Sequence, residues 1–261
     1  MRQLQIVKIG TDSVFHDGSI DYQVLSNLGY DLAKLTAEQN TDSVLVVSGA
    51  IRLGMRKNGL TEKPTSSIEL QSCARDGQPI LMRTYEEGLF IGYERYATEN
   101  GTLARLLTPQ YLVTYHNLDD LAEMRNIVAN IHYDSSIKKL PLINYNDGVD
   151  PTEVERDNDS LAARIAKALI ADRLVIMTDV DGLFENFSDI GRKGLVKRVT
   201  EINDYIRSLA EEKRKGTGSM KTKIEAGELL LKEGIPTIIG NVSYGLIRLI
   251  EDEKIRTVFT K

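Results

Sequence analysis

Short runs of Val, Ile and Leu recur along the chain, at residues 4–9, 44–47, 140–143, 174–177 and 237–239. Their apolar positions are continuous rather than alternating, which predicts strands buried on both faces, as in a parallel sheet. Between the runs, Ile20, Val24, Leu25, Leu28, Leu32 and Leu35 keep helical spacing and predict one apolar helix face. Leu161, Ile165 and Leu169 do the same, as do Ile224, Leu230 and Leu231. This strand–helix alternation predicts an α/β fold, a three-layer α/β/α sandwich around a mainly parallel sheet. Residues 106–114, with Pro109 inside, predict a further or edge strand. Residues 256–259 predict a last apolar strand, 54–67 a polar loop or excursion, and 185–198 a hairpin or loop. No Pro/Gly/Ser-rich linker and no internal repeat divides the chain.

Composition adds exclusions. A chain of 261 residues can bury one large core or form two lobes sharing a sheet. A hydrophobic share of 41% and a charged share of 27% place it among ordinary globular proteins. The net charge of −5 argues against a nucleic-acid surface, which needs a basic face. The single cysteine, Cys73, excludes an internal disulfide and a thiolate metal site, and reads as a small buried residue. No stretch approaches the roughly 20 apolar residues of a membrane span, and none has signal-peptide character. A cytoplasmic location is the default expectation.

Open parallel sheets place function at the carboxyl ends of their strands, and the unusual residues fall there. Lys8 stands one residue before the end of the first strand. Burying it is costly unless it meets an anion; the alternative is a lysine snorkelling from an edge strand. Residues 43–47 run into Ser48-Gly49-Ala50, small enough for a ligand to approach the backbone. A hydrolase elbow would want glycine two residues either side of the serine; Val46 and Ala50 stand there, so Ser48 reads as a binding hydroxyl. Asn144, Tyr145, Asn146 and Asp147 follow the next strand, and Asp157-Asn158-Asp159 precede a helix. One of the latter serves as an N-cap, but capping does not need three. Two acidic-amide clusters facing one cleft suit an ammonium group or the orientation of lysines; calcium is disfavoured because EF-hand spacing is missing. Thr178 and Asp179, with an Asp-Gly turn at 181–182, suit either a nucleotide contact or an ordinary turn. Gly216, Thr217, Gly218, Ser219, Met220, Lys221, Thr222 and Lys223 run into a helical segment. Their order is not that of a Walker loop, but small residues, hydroxyls and lysines at a helix start form a phosphate cradle of another type. His16, His116 and His132 are scattered without ligand spacing, and 211–215 reads as a solvated charge run.

Taken in order, Lys8-Ile9-Gly10-Thr11, Val47-Ser48-Gly49-Ala50, Ile143 to Asp147, Asp157 to Asp159, Thr178 to Phe184 and Gly216 to Lys223 resemble the motifs of the amino acid kinase family, most closely its glutamate-phosphorylating members. The resemblance covers nearly the whole chain. It implies phosphoryl transfer from ATP to the side-chain carboxylate of glutamate, the first step toward proline. By position, Lys8 and Lys223 would contact the transferring phosphoryl group and Asp159 would orient them. Ser48, Gly49, Ala50, Asn144, Asp147, Asp157 and Asn158 would form the amino-acid site. Lys8, Gly10, Thr178, Asp179, Thr217, Gly218, Ser219, Met220, Lys221, Thr222 and Lys223 would hold ATP, with magnesium riding on the phosphates rather than on a protein metal site. It also implies one kinase domain over 1–261, with an amino-acid lobe over about 1–160 and an ATP lobe over about 161–261. The C-terminal PUA domain of many bacterial members would be missing. A homo-oligomer (dimer or tetramer), proline as a feedback inhibitor, and no nucleic-acid or membrane partner complete the expectation.

The chemistry agrees. A side-chain carboxylate with a pKa near ~4.3 is already ionised and needs no general base, so the lack of a Ser-His or Cys-His pair is expected. Two anions must meet, and fixed cations are what such a site needs. Asp147 to Asp159, with Asp150, Glu153 and Glu155 between, favours a substrate with a free amine over its N-acetylated relative. Relative to the family pattern, Tyr145 stands for glutamate, Asp12 for serine, Ser219 for glycine, and Arg52-Leu53 for small residues. The alternatives are a family member acting on aspartate, N-acetylglutamate, carbamate or a small phosphate, and a catalytically silent homologue that binds nucleotide or amino acid for regulation.

Overall fold

Strand β1 (Gln3–Ile9) explains why the sheet is covered on both sides. Side chains alternate along a strand, so Ile6 and Lys8 face one way and Val7 and Ile9 the other. Ile6 packs into a core with Leu161, Ile165, Ile224 and Leu230, whereas Val7 and Ile9 pack with Leu25, Leu28, Leu32, Leu81, Tyr85 and Leu89. Both faces are apolar, and helices must cover each.

The computed structural model describes residues 2–16, 19–149, 157–188, 191–210 and 219–261. After β1 come α1 (Thr11–Val14), the two-residue strands β2 (Phe15–His16) and β3 (Ser19–Ile20), α2 (Tyr22–Glu38), β4 (Thr41–Val46), α3 (Ala50–Lys57) and α4 (Ser67–Glu99). The middle of the chain holds β5 (Gln110–Val113), α5 (Tyr115–Asp119), α6 (Leu121–Ser136), β6 (Leu142–Tyr145), α7 (Asn158–Ala168) and β7 (Arg173–Thr178). Then follow β8 (Phe184–Ser188), β9 (Gly191–Leu195), β10 (Arg198–Val199), α8 (Asp204–Ser208), α9 (Met220–Glu233), β11 (Thr237–Asn241), α10 (Leu246–Glu251) and β12 (Arg256–Phe259).

Eight strands form one sheet in the order β10-β12-β11-β7-β1-β4-β6-β5. The run from β11 to β5 is parallel throughout; only the β11–β12 pairing is antiparallel. The expected mainly parallel α/β/α sandwich is therefore the observed fold. Strand β5 sits at the sheet edge just after Pro109, and β8 and β9 form the expected hairpin. None of the described helices is long and apolar enough to cross a membrane.

Two sequence expectations need correction. Gly54 to Lys57 belong to α3 rather than to a loop, and Ser67 already opens α4. Ile20 lies in β3; the helix starts one residue after Asp21, whose side chain accepts from the N–H groups of Gln23 and Val24 and caps it. The 33-residue α4 leaves little trace in the apolar pattern because its buried stripe is largely small: Cys73, Ala74, Gly77, Gly88 and Gly92 alternate with Leu70, Leu81, Tyr85 and Leu89. Small residues let α3 come close. A Cβ on Gly77 would sit inside van der Waals contact of the Ala50 carbonyl oxygen and the Gly54 nitrogen, and one on Gly54 would strike the Cys73 carbonyl. Gly77→Ala is expected to lower stability by about 1–3 kcal/mol through overpacking, read as a lower denaturation midpoint in urea. An unchanged midpoint would mean that the two helices part without cost.

Candidate active site

The carboxyl ends of β1, β4, β6 and β7 open onto a cavity of about 360 Å³. The parallel register sets Lys8 level with Val46 on one side and Ile176 on the other, so the loops leaving these strands converge. Lys8, Gly10, Ser48, Gly49, Ala50, Asn144, Asp147, Asp157, Asn158, Thr178, Asp179 and Lys223 all line it. Residues spread over more than 200 positions of sequence thus meet in one place.

Asp159 lies behind the cavity wall, 0% exposed. It sits in the first turn of α7, where the helix dipole favours a carboxylate. The Lys8 Nζ lies 2.7 Å from its Oδ1 and the Lys223 Nζ 3.0 Å from its Oδ2. The Thr222 hydroxyl donates to Oδ2 at 2.9 Å. Both lysines are buried, at 5% and 3% exposure. Lys223 occupies the first turn of α9, where the dipole disfavours a cation; Asp159 offsets that penalty. Burial by itself would raise the Asp159 carboxyl, but the two ammonium groups outweigh it and hold the group below the usual carboxylate range. Burial likewise pulls Lys8 down, yet Asp159 and then Asp157 raise it above its ordinary value. One carboxylate therefore holds two lysine side chains side by side at the cavity wall, where their ammonium groups can meet an anion.

Asp157 caps α7, its Oδ1 accepting from the Asp159 N–H at 2.7 Å and standing 3.9 Å from the Lys8 Nζ. Its Oδ2 is buried and accepts no hydrogen bond among the described residues. Burial, and then the charge of Asp159, raise its pKa, with Lys8 opposing. Asn158, next to it, donates from Nδ2 to the Val47 carbonyl at 2.5 Å and to Asn144 Oδ1 at 3.0 Å. Asn144 in turn donates to Gln78 Oε1 at 2.9 Å.

On the other side of the cavity, Ser48 and Thr11 share a hydrogen bond of 2.8 Å. Gly49 adopts φ 117°, a left-handed conformation that suits glycine, and starts α3 without a side-chain cap. Arg52 pairs with Asp12 at 2.9 Å and lies 5.0 Å above the Phe15 ring. Two departures from the family pattern are therefore partners of each other. Gly10 donates to the Met177 carbonyl at 3.1 Å, which ties β1 to the end of β7 beside Thr178 and Asp179.

The remaining sequence candidates divide. Ser219 is the N-cap of α9, accepting from the Thr222 N–H at 3.3 Å, so a serine in place of glycine takes a structural part. Met220 packs against the core and the exposed Lys221 pairs with Glu225 at 4.0 Å; neither lines the cavity. Thr217 and Gly218, with Asp150, Glu153 and Glu155, lie outside the described residues. Tyr145 is 1% exposed and stacks on Tyr115 at 5.6 Å, on the core side of its strand, and does not line the cavity. Sequence reasoning missed Gln78 and the cavity-lining Met55 and Lys63. Gln78 sits in α4, the helix that the apolar pattern hides, and only its place next to the close-packed Gly77 singles it out.

A family model described as the amino acid kinase family matches residues 3–241. The glutamate 5-kinase of Caldanaerobacter subterraneus subsp. tengcongensis is 33% identical over 97% of this chain, which spans 67% of that protein. The glutamate 5-kinase of Ligilactobacillus salivarius is 32% identical over 98% of this chain and 95% of its own length. Among solved structures, carbamate kinase from Giardia lamblia bound to AMP-PNP superposes with a TM-score of 0.63 at 17% identity, over 100% of this chain and 99% of that one. UMP kinase from Ureaplasma parvum superposes with a TM-score of 0.61 at 12% identity, over 100% of both chains. At such identities these two likenesses speak to the fold alone.

Proposed function

Because the chain belongs to the amino acid kinase family, we propose that it transfers the γ-phosphoryl group of ATP to the side-chain carboxylate of L-glutamate, as a glutamate 5-kinase. The observation that supports this most directly is the pair of buried ammonium groups, Lys8 and Lys223, held on Asp159 at the wall of a cavity lined by acidic and amide groups. In the reaction a carboxylate oxygen of glutamate forms a bond to the γ-phosphorus. The bond from phosphorus to the β,γ-bridging oxygen breaks, and ADP leaves with that electron pair. The product is a mixed carboxylic–phosphoric anhydride. No proton moves, because the nucleophile is already ionised. The two lysines offset the repulsion between carboxylate and phosphate and neutralise charge spread over the transferring oxygens.

The cavity offers hard oxygen donors, the carboxylates of Asp157 and Asp179 with the hydroxyls of Ser48 and Thr178, which is the donor type magnesium takes. Magnesium arriving on the ATP phosphates would add positive charge there. In this reading the amino acid lies toward Ser48, Asn144, Asp147 and Asn158, and ATP toward Gly10, Thr178, Asp179 and the start of α9. Assembly as a dimer or tetramer and inhibition by proline are further expectations of the same reading, measured by light scattering and by adding proline to the assay.

The test is ADP release with ATP and magnesium against glutamate, aspartate, N-acetylglutamate, carbamate and UMP. Turnover of glutamate supports the proposal. Turnover confined to another acceptor overturns the substrate, and ATP binding without any turnover favours a regulatory homologue.

Acidity provides a second check. The raised Asp157 carboxyl is expected to take up a proton at higher pH than an ordinary aspartate, near ~3.9, and to lose its attraction for the substrate ammonium as pH falls through that value. The wild-type kcat/KM for glutamate should then fall on an acid limb to which Asp157 and the substrate's own carboxylate, near ~4.3, both contribute. Asp157→Asn should keep only the limb of the substrate. Identical acid limbs in the two proteins would remove Asp157 from ammonium recognition.

A further inference from the structure

We infer that Gln78 is a positioning residue that anchors the far end of a chain of two cavity amides, Asn144 and Asn158, so that together they accept the zwitterionic head of a free α-amino acid. The inference rests on the kinase reading above and specifies how its amino-acid end is built.

A backbone carbonyl can only accept, so the group that Asn158 turns to the Val47 oxygen at 2.5 Å is its NH₂. That same NH₂ meets Asn144 Oδ1 at 3.0 Å, which uses both of its hydrogens. Asn158 lines the cavity, and the atom it has left to offer a ligand is Oδ1, an acceptor. Asn144 accepts through its own Oδ1, so its NH₂ must be the group that reaches Gln78 Oε1 at 2.9 Å. One hydrogen of that NH₂ remains for a ligand, and Asn144 also lines the cavity. The two amides thus show one acceptor and one donor. An ammonium donates and a carboxylate accepts, so this pair matches both ends of a zwitterion.

The chain of amides ends at Gln78, and it uses only the acceptor. Gln78 Nε2 is buried and takes no hydrogen-bond partner among the described residues. The Val47 carbonyl, acting through Asn158, sets which way the Asn144 carboxamide points, and Oε1 holds its other end. Without Oε1 the carboxamide is held through Asn158 alone, and its remaining hydrogen is no longer aimed at the α-carboxylate. A substrate whose nitrogen is acetylated carries no ammonium for Asn158 Oδ1 but keeps the α-carboxylate that Asn144 serves, so Gln78 acts on the carboxylate end of the head from a place outside the cavity lining.

Two variants separate this role from simple packing. Gln78→Met keeps the shape and loses the acceptor; Gln78→Glu keeps the acceptor, loses the partnerless Nε2 and adds a negative charge. Gln78→Met is expected to raise KM for L-glutamate about tenfold, the loss of roughly one hydrogen bond. Its kcat and KM for ATP should stay within about twofold. Gln78→Glu should restore KM for L-glutamate. A packing role would rank the variants the other way, since methionine is the better guest at a half-buried site. Unchanged KM in Gln78→Met, or equal damage in both variants, overturns the proposal. Wild-type protein gives an independent measure: glutarate, which lacks the amine, should bind at least about tenfold more weakly than glutamate, and equal binding also overturns it. If the wild type fails to phosphorylate glutamate, it is the kinase reading that fails, and the same variants are compared by calorimetric binding of glutamate and glutarate.

Discussion

Lys8→Ala is expected to lower kcat by about 10²–10³-fold or more, with a much smaller change in KM for glutamate. The split follows from where the ammonium sits. It is buried on Asp159 and Asp157 at the cavity wall, beside the position proposed for the transferring group. Its charge matters most when carboxylate and phosphate are forced together, and little when glutamate alone is bound. Lys223→Ala is expected to behave in the same way, because it shares the same carboxylate at 3.0 Å. Groups that act as a unit are not additive, so the double variant should fall little below the worse single one. Lys8→Arg should not recover the rate, since a planar guanidinium needs more room than a compact ammonium. Steady-state ADP release reads all four proteins. A near-normal kcat in either alanine variant would remove that lysine from the chemistry.

Asp159→Asn should combine the loss of activity with the largest loss of stability. The amide leaves the buried Lys223 without the carboxylate it pairs with and Lys8 with only Asp157, 3.9 Å away, and breaking a buried pair from one side costs about 3–5 kcal/mol. Urea unfolding at neutral pH measures it. The pH profile gives the sign. Asp159 has a folded pKa below its unfolded one, so its contribution is complete above the unfolded value near ~3.9 and is lost as pH falls through the folded value. Lys8 has a raised folded pKa, so its contribution is complete below the ordinary lysine value near ~10.4 and is lost as pH rises through the folded value. The wild type should therefore lose stability in the acid below about pH 4 and again in strong alkali. Asp159→Asn should lack Asp159's share of the acid loss and begin the alkaline one at lower pH, because burial then acts on Lys8 against only the weaker pull of Asp157 and Asp12. A variant as stable as the wild type at neutral pH would mean that the lysines find other partners.

Much of this site was legible because its signals are chemical contradictions. A lysine at the end of an apolar strand demands an anion, and Asp159 supplies it. Three capping residues in a row exceed what one helix start can use, and each proves to have a separate role. Asp157 caps, Asn158 bridges to Val47, and Asp159 holds the lysines. What escaped is where sequence offers no contradiction. The buried stripe of α4 is made of glycine, alanine and cysteine, whose burial serves close approach rather than oil-like packing, and hydrophobic periodicity does not register it. Gln78 is an ordinary glutamine until Asn144, 66 residues away, reaches it. Tyr145 shows the converse. It is a conspicuous departure in a substrate motif, yet strand alternation turns it away from the cavity and onto Tyr115.

The place of β1 in the sheet order has a consequence for how the protein is made. Its two neighbours are β4 and β7. The first follows after α1, the β2–β3 pair and α2, but contacts at the start of the second, such as that from the Leu4 N–H to Asp172 just before β7, close over 168 residues. At a synthesis rate of about 5–20 residues per second, one edge of this apolar strand waits roughly 10–30 s for its partner. Throughout that interval Lys8 stands in the exposed row without the carboxylate it will later bind, and a charge on an open strand edge discourages pairing with other chains. The same ammonium would first guard the nascent chain from aggregation and only afterwards serve the phosphoryl group.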